Sequence, residues 1–282
     1  MQPVEVRMYA GRAGPVVVLH GGPGAPGSAA GLAAPLAPEF EVWEPLQRRS
    51  GVLELTVDRH VADLRAVAPD AATIVGHSWG AMLGLSYAAS HPSAVRALAL
   101  VGCGTYDEAS RAEYERRYQA RLDDARRARS EELRIAMANT RTDAERDRML
   151  ALRGELAGEV QSVDLLPDAE PTMFPADAAG HEQTWQDVLR RQAAGLEPRT
   201  FAAITAPVLM IHGDEDPHPG PMIRDALDPH LARLEYVEIA RCGHEPWRER
   251  HGREPFLSAL RAWLRPAVAP TRAPPPDARG SR

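Results

Sequence analysis

Short apolar runs rich in β-branched residues alternate along this chain with stretches of helical periodicity. That alternation limits the fold more than any other feature. Val16-Val17-Val18-Leu19 is apolar at every position, as a strand covered on both faces requires. Phe40 to Trp43, Ala72 to Val75, Val95 to Val101, Pro207 to Ile211 and Leu234 to Ile239 are further strand candidates. Between them, Val57, Val61, Leu64 and Ala68 recur at helical spacing, as do Phe256, Leu257, Leu260 and Leu264. The pattern predicts an α/β fold with a doubly wound, mostly parallel sheet. In such sheets ligands bind beyond the carboxyl ends of the strands.

From about Tyr106 to Thr200 the rhythm breaks. No convincing strand is present there, and charge density climbs from Arg111 to Arg153. Ala112 to Tyr118 and Glu145 to Leu150 read as exposed amphipathic helices laced with i,i+4 ion pairs. A Pro- and Asp-bearing loop, Leu166 to Ala179, interrupts this region, and its last helix is expected to begin at Thr184. The chain therefore divides into a core of residues 1–105 and 201–265, a helical cap of residues 106–200, and a tail of residues 266–282. The tail is rich in Pro, Ala and Arg without periodicity and is expected to be disordered.

Composition removes several classes of function. The net charge of −6 is spread among interspersed basic and acidic residues, so nothing favours nucleic acid or an anionic membrane as partner. All 33 basic residues are Arg, which excludes Schiff-base lysine, Ser-Lys and P-loop chemistry. No apolar run approaches the roughly 20 residues that span a bilayer, and the first residues lack a basic segment followed by an apolar one. A soluble, cytoplasmic protein is expected, with a small molecule or short peptide as its substrate; the oligomeric state is not legible. Cys103 and Cys242 are too few for a disulfide framework or a structural zinc site, although one disulfide between them stays open. No cofactor and no metal are expected. His218 and His230 lack an H-E-x-x-H pattern, and in Gly21-Gly22-Pro23-Gly24 the proline removes an N–H that a dinucleotide would need.

Gly76-His77-Ser78-Trp79-Gly80 fits G-x-S-x-G and lies between the strand-like Ala72 to Val75 and the helix-like Ala81 to Ala89. A strand turning that sharply into a helix leaves no room for a Cβ on either side of the serine, whose Oγ it lifts to the carboxyl end of the sheet. A nucleophilic serine also needs a base, a group to orient the base, and donors for the oxyanion. His20-Gly21-Gly22-Pro23-Gly24 follows the first strand candidate, and the N–H groups of Gly22 and Trp79 are the expected oxyanion donors. His212-Gly213-Asp214-Glu215-Asp216-Pro217 follows Pro207 to Ile211. Three carboxylates compete there, and Asp216 is chosen because an acid three residues after the turn at Gly213 aims back over the sheet. Cys242-Gly243-His244 follows the last strand candidate and supplies the base. Ser78, Asp216, His244 gives the order nucleophile, acid, base. By alternation, His20, His77 and His212 are expected to point to other faces, while His218 has no partner motif. The segment Gly102-Cys103-Gly104-Thr105 offers no carboxylate before Asp107 and so makes a poor alternative acid site.

These motifs resemble the α/β-hydrolase superfamily from roughly Val4 to Leu264, and within it the proline iminopeptidase group. His20 to Gly24 matches that group's H-G-G-P-G box and Ser78-Trp79-Gly80 its S-W-G elbow, with His91-Pro92, Gly213 to Asp216 and Gly243-His244 following in order. The resemblance implies Ser78 as nucleophile, Asp216 as acid, His244 as base, and Gly22 and Trp79 as oxyanion donors of a metal-free serine hydrolase acting on an ester or amide. The chain departs from the group at Leu46-Gln47-Arg48-Arg49-Ser50-Gly51, where D-Q-R-G-x-G is usual, and at His77, where Gly is usual. In the group's aminopeptidases cap carboxylates hold the substrate's amino group; Glu131, Glu132, Glu155 and Glu182 are possible counterparts. Carboxylesterase, lactonase and thioesterase activities remain open, as does a ligand-binding, receptor-like role. Tyr114, Tyr118, Phe174 and Trp185 are expected to pack the cap in preference to lining a pocket.

Overall fold

The computed structural model describes residues 4–167 and 176–268. Seven strands, β1 (Val6–Tyr9), β2 (Ala13–Leu19), β3 (Phe40–Pro45), β4 (Ala72–His77), β5 (Val95–Val101), β6 (Val208–Gly213) and β7 (Leu234–Ile239), form one sheet in the order β1-β3-β2-β4-β5-β6-β7. Every neighbour is parallel except β1, which runs antiparallel to β3 at the edge. β1 escapes the sequence pattern because Val6-Arg7-Met8-Tyr9 is half-buried and mixes charge with apolar residues. The doubly wound sheet is thus the one expected. Its strand order reverses between β2 and β4, which opens the crevice where such sheets bind ligands.

Alternation along the strands divides the core between the two faces. Val17 and Leu19, Ile74, Leu98 and Leu100, and Val208 and Met210 face α2 (Val57–Val67), α3 (Trp79–Ser90) and α8 (Gly220–Leu227). Val16 and Val18, Val75, Ala99 and Val101, and Leu209 and Ile211 face α1 (Ala30–Leu36) and α9 (Arg253–Val268). Both sets are almost wholly excluded from solvent, which is why these strands read as mainly apolar at successive positions.

Between β5 and β6 stand α4 (Glu108–Ala120), α5 (Asp124–Ala138), α6 (Asp143–Gln161) and α7 (Ala178–Ala193). Each is started by a side-chain cap, including a full capping box at Thr142 and Glu145. Leu122, Leu133, Leu156 and Val160 form a small core of their own beside Tyr118, Met149 and Leu152. The ion pairs fall mostly at i,i+3 and not at the expected i,i+4: Arg116 with Glu113, Arg134 with Glu131, Arg146 with Asp143, against Arg117 with Glu113 at i,i+4. The last helix of the insertion begins at Ala178, before the expected Thr184, because Asp177 accepts the Gly180 N–H at 3.0 Å and caps it there. α9 continues to Val268, so residues 266–268, assigned to the tail, are helical; residues 269–282 lie outside the described residues. Backbone bonds tie the insertion to the carboxyl end of the sheet, with Asp177 N–H on Gly24 O at 2.8 Å and His244 N–H on Gln161 O at 3.1 Å.

Candidate active site

Ser78 sits in the turn from β4 into α3 with φ 52° and ψ −116°. A non-glycine residue there costs about 1–3 kcal/mol and persists only where its surroundings fix it. α3, buried along nearly its whole length, and the bond from Ser78 N–H to Val101 O (2.9 Å) fix it here. The flanking glycines are obligatory. A Cβ at Gly76 would lie 2.2 Å from Gly80 O, and one at Gly80 would lie 2.4 Å from Leu19 O.

After β6 the three competing carboxylates separate by environment. Asp214 and Glu215 are exposed, the first accepting the Cys242 N–H at 3.2 Å and the second pairing with Arg121 at 3.7 Å. Asp216 is buried, and its Oδ2 lies 2.7 Å from His244 Nδ1. Burial works against ionisation of Asp216, but the imidazoles of His244 and His218 outweigh it and hold the carboxyl well below its ordinary range. Burial likewise disfavours protonated His244, and the Asp216 carboxylate reverses that, leaving the imidazole more basic than usual. The His244 loop is clamped by Glu249, whose carboxylate oxygens take the Gly243 N–H at 3.0 and 2.9 Å.

Gly22, at φ 60° after β2, borders the same cavity as the serine, and Trp79, the first residue of α3, follows it directly. The Trp79 indole donates to Gln47 Oε1 at 2.8 Å, so the segment that departs from the proline iminopeptidase pattern still braces the elbow. Ser78, Gly22, Trp79 and His244 line one cavity of about 1420 Å³, roofed by the helical insertion. Contrary to expectation, Tyr114 and Trp185 line this cavity, although Trp185 also packs on the core; Tyr118 packs inside the insertion as expected. Phe174 lies outside the described residues. Of the four carboxylates considered for the cap, Glu155 reaches the cavity, whereas Glu131, Glu132 and Glu182 are exposed and are not among its lining residues.

The sequence profile of the alpha/beta hydrolase family matches residues 16–259. The chain belongs to that family. No curated protein matches it. Among solved structures it is similar to a thermophilic esterase from Thermogutta terrifontis (16% identity, TM-score 0.60, covering 94% of each chain). It is also similar to CarC, a serine hydrolase involved in carbazole degradation (22%, TM-score 0.59, 93% of this chain and 95% of that one). A third is the Paleococcus ferrophilus monoacylglycerol lipase (16%, TM-score 0.60, 93% and 98%). At such identities the likeness is one of fold.

Around Asp216 and His244 stand three histidines that the sequence pattern did not place there. His77 was expected on another face, yet it lines the cavity, its ring 4.7 Å from that of His244 and its Nε2 3.3 Å from His244 O. Burial pushes its pKa well down, so the neutral ring donates to that carbonyl. His212 accepts the Cys103 N–H on Nε2 at 2.9 Å and brings Nδ1 within 3.8 Å of Asp216 Oδ2. The segment dismissed as an acid site therefore has a structural part: Gly102, at φ 53°, packs so closely under His244 that a Cβ would meet its Nδ1 at 2.9 Å. His218, expected to lack a partner, lies on Asp216 itself. Only His20 stays apart, buried and bonded through Nδ1 to Gly21 O at 3.0 Å. His77, at the end of β4, meets Trp247 on one face of the sheet, and His212, next to last in β6, meets Tyr236 on the other. At the carboxyl end both faces therefore border the site; His218, beyond β6, lies outside alternation. Cys103 and Cys242 are buried free thiols with no disulfide between them. Asp216, His218 and His244 bring possible ligand atoms within 4.8 Å of one another, a spacing that could hold a metal ion. Both imidazoles direct Nδ1 at the carboxylate, in the geometry of hydrogen bonds. No helix among the described residues is long and apolar enough to cross a membrane.

Proposed function

We propose that this protein is a serine hydrolase that cleaves a small ester or amide through an acyl-enzyme. The observation that carries the reading is the buried 2.7 Å bond between Asp216 and His244, opening on the same cavity as a serine held at positive φ. Ser78 Oγ attacks the substrate carbonyl while His244 Nε2 takes its proton, and the carbonyl oxygen becomes an oxyanion facing the N–H groups of Gly22 and Trp79. Collapse breaks the bond to the leaving group, which receives the proton from His244. Water then repeats the sequence on the acyl-serine, releasing the acid and restoring Ser78. Asp216 fixes the proton on His244 Nδ1, so that Nε2 is the free base, and stabilises the imidazolium that forms.

Ser78→Ala is expected to lower turnover of p-nitrophenyl acetate by on the order of 10⁶-fold, and a fluorophosphonate probe is expected to label Ser78 in the folded protein. Retained activity in the variant would sink the mechanism. An unlabelled wild-type Ser78 would favour a binding protein on a hydrolase fold.

An aminopeptidase of the proline iminopeptidase type is the second reading. It is favoured by the carboxylates of Glu108, Glu115 and Glu155 on the cavity wall, which face a substrate amino group beside the lining Arg111, Arg248 and Arg253; Glu155 also lies 3.7 Å from Arg129. Turnover of proline p-nitroanilide beside p-nitrophenyl acetate separates the two readings, and thioester and lactone substrates complete the panel.

A further inference from the structure

Asp216 holds two imidazoles. On Oδ2 it takes His244 Nδ1 at 2.7 Å; on Oδ1 it takes the His218 backbone N–H at 2.8 Å and His218 Nδ1 at 3.0 Å. The two rings lie nearly parallel, centroids 4.4 Å apart at 20°. The ring of Tyr114, from α4, lies on His218 at 4.3 Å and 33°. The chain of contacts then closes on itself. Gln161, at the end of α6, donates from Nε2 to Tyr114 OH at 3.2 Å, and its backbone O accepts the His244 N–H at 3.1 Å. Tyr114, His218 and His244 all border the cavity.

A carboxylate that orients a catalytic imidazole must keep one oxygen fixed on it, and a buried carboxylate with an unsatisfied second oxygen is free to rotate. Here the backbone and ring donors of His218 occupy Oδ1. Burial pushes the His218 pKa down, so the ring is neutral and carries one proton. An acceptor facing Nδ1 places that proton on Nδ1. His218 therefore anchors the acid with its ring N–H while its face limits the tilt of the base, and Tyr114 presses the pair together from the helical insertion.

We propose that His218 is a positioning residue for the reaction, holding Asp216 through Oδ1 and stacking on His244, with Tyr114 linking the pair to the insertion. This rests on the serine-hydrolase reading above. It makes the insertion part of the machinery that sets the base, and not solely a cover for substrate. Displacing reacting groups by about 1 Å costs on the order of 10²-fold in rate, which sets the scale of the expected effect.

Two substitutions separate the two contributions. His218→Asn puts an amide N–H where Nδ1 stands but gives up the ring; His218→Phe keeps a ring and gives up the side-chain donor, leaving the backbone N–H on Oδ1. In steady-state hydrolysis of p-nitrophenyl acetate, His218→Phe is expected to lower kcat by roughly 10- to 100-fold with little change in KM, and His218→Asn to recover most of that loss. In the resting protein, the far-downfield proton NMR signal of His244 Nδ1 should persist in the Asn variant and broaden or move upfield in the Phe variant. If His218→Phe does not fold, His218→Ala takes its place, with the same contrast to Asn expected. A variant lacking the side-chain donor with wild-type kcat and an unmoved resonance would overturn the proposal, as would an Asn variant no better than that variant. The NMR signal needs no turnover, so it tests the His218 anchor even if the hydrolase reading fails on every substrate.

Discussion

A buried carboxylate that receives three donors is not interchangeable with acids two residues away, and the turn after β6 makes this testable residue by residue. Asp216→Asn exchanges an acceptor-only group for an amide whose NH₂ must face one of two imidazole Nδ1 atoms, which drives His244 toward the wrong tautomer. Turnover of an activated ester is expected to fall roughly 10⁴-fold. Asp214→Asn, at an exposed side chain that takes one backbone N–H, should leave turnover within a few-fold. The opposite ranking would move the acid to Asp214. The sequence allowed this choice because a glycine turn limits which of three neighbouring acids can fold back over the sheet. It did not show that His218 folds back too. Asp216-Pro217-His218 carries that information only once the loop closes, since no periodicity governs a residue beyond a strand end. The one signal available was the D-x-H spacing itself.

At the scale of elements, what was readable is what burial on both faces writes into a strand. β2, β4, β5 and β6 carry apolar stretches (residues 16–19, 74–75, 97–101 and 208–211) because helices cover both sides; Arg96 of β5 is exposed. β1 was missed as a half-exposed edge strand, and α8 begins with Gly220-Pro221, residues that read as a turn. The insertion's helices were legible from charge, but their junction with the core was not, because it is made by backbone bonds and by buried acids with no pattern in the sequence. Glu249 accepts the Gly243 N–H on both oxygens and the Val163 N–H on Oε2 at 3.2 Å, joining the His244 loop to the chain leaving α6. Burial raises its pKa while these backbone donors oppose the rise. Glu249→Gln keeps one oxygen and turns an NH₂ toward a backbone N–H. The urea midpoint should drop by the equivalent of about 1–3 kcal/mol, and turnover should fall with it because His244 is the next residue after Gly243. A variant equal to wild type in both measurements would mean that this clamp does not hold the loop.

For the molecule as a whole, the buried histidines dictate how stability responds to acid. Burial pushes His20, His60 and His212 down to about 4 and His77 well below its ordinary value. In the unfolded chain each titrates near 6.5. Between those values the unfolded state binds more protons than the folded one, so stability falls as pH falls, by up to about 1.4 kcal/mol per pH unit for each group. His244 acts in the opposite sense. Its folded pKa is raised, so its contribution is complete below 6.5 and is lost as pH rises through the folded value. Asp216 is depressed, and its contribution is present above about 3.9 and lost only in stronger acid. From pH 6.5 toward 4, then, these four imidazoles pull one way, joined by His218 and His181, which burial also lowers. The raised carboxyls of Glu44, Glu197 and Glu249 pull against them. Guanidinium midpoints measured from about pH 7.5 to about pH 4.5 should change little at first and then decline steeply. His60→Gln, which keeps a polar group near the Thr184 hydroxyl that His60 Nε2 meets at 3.0 Å, should make that decline shallower. Midpoints that stayed level from pH 6.5 to 4.5 would show that these rings take up protons without unfolding the chain. The burial that silences them around the active site would then not be costing stability in acid.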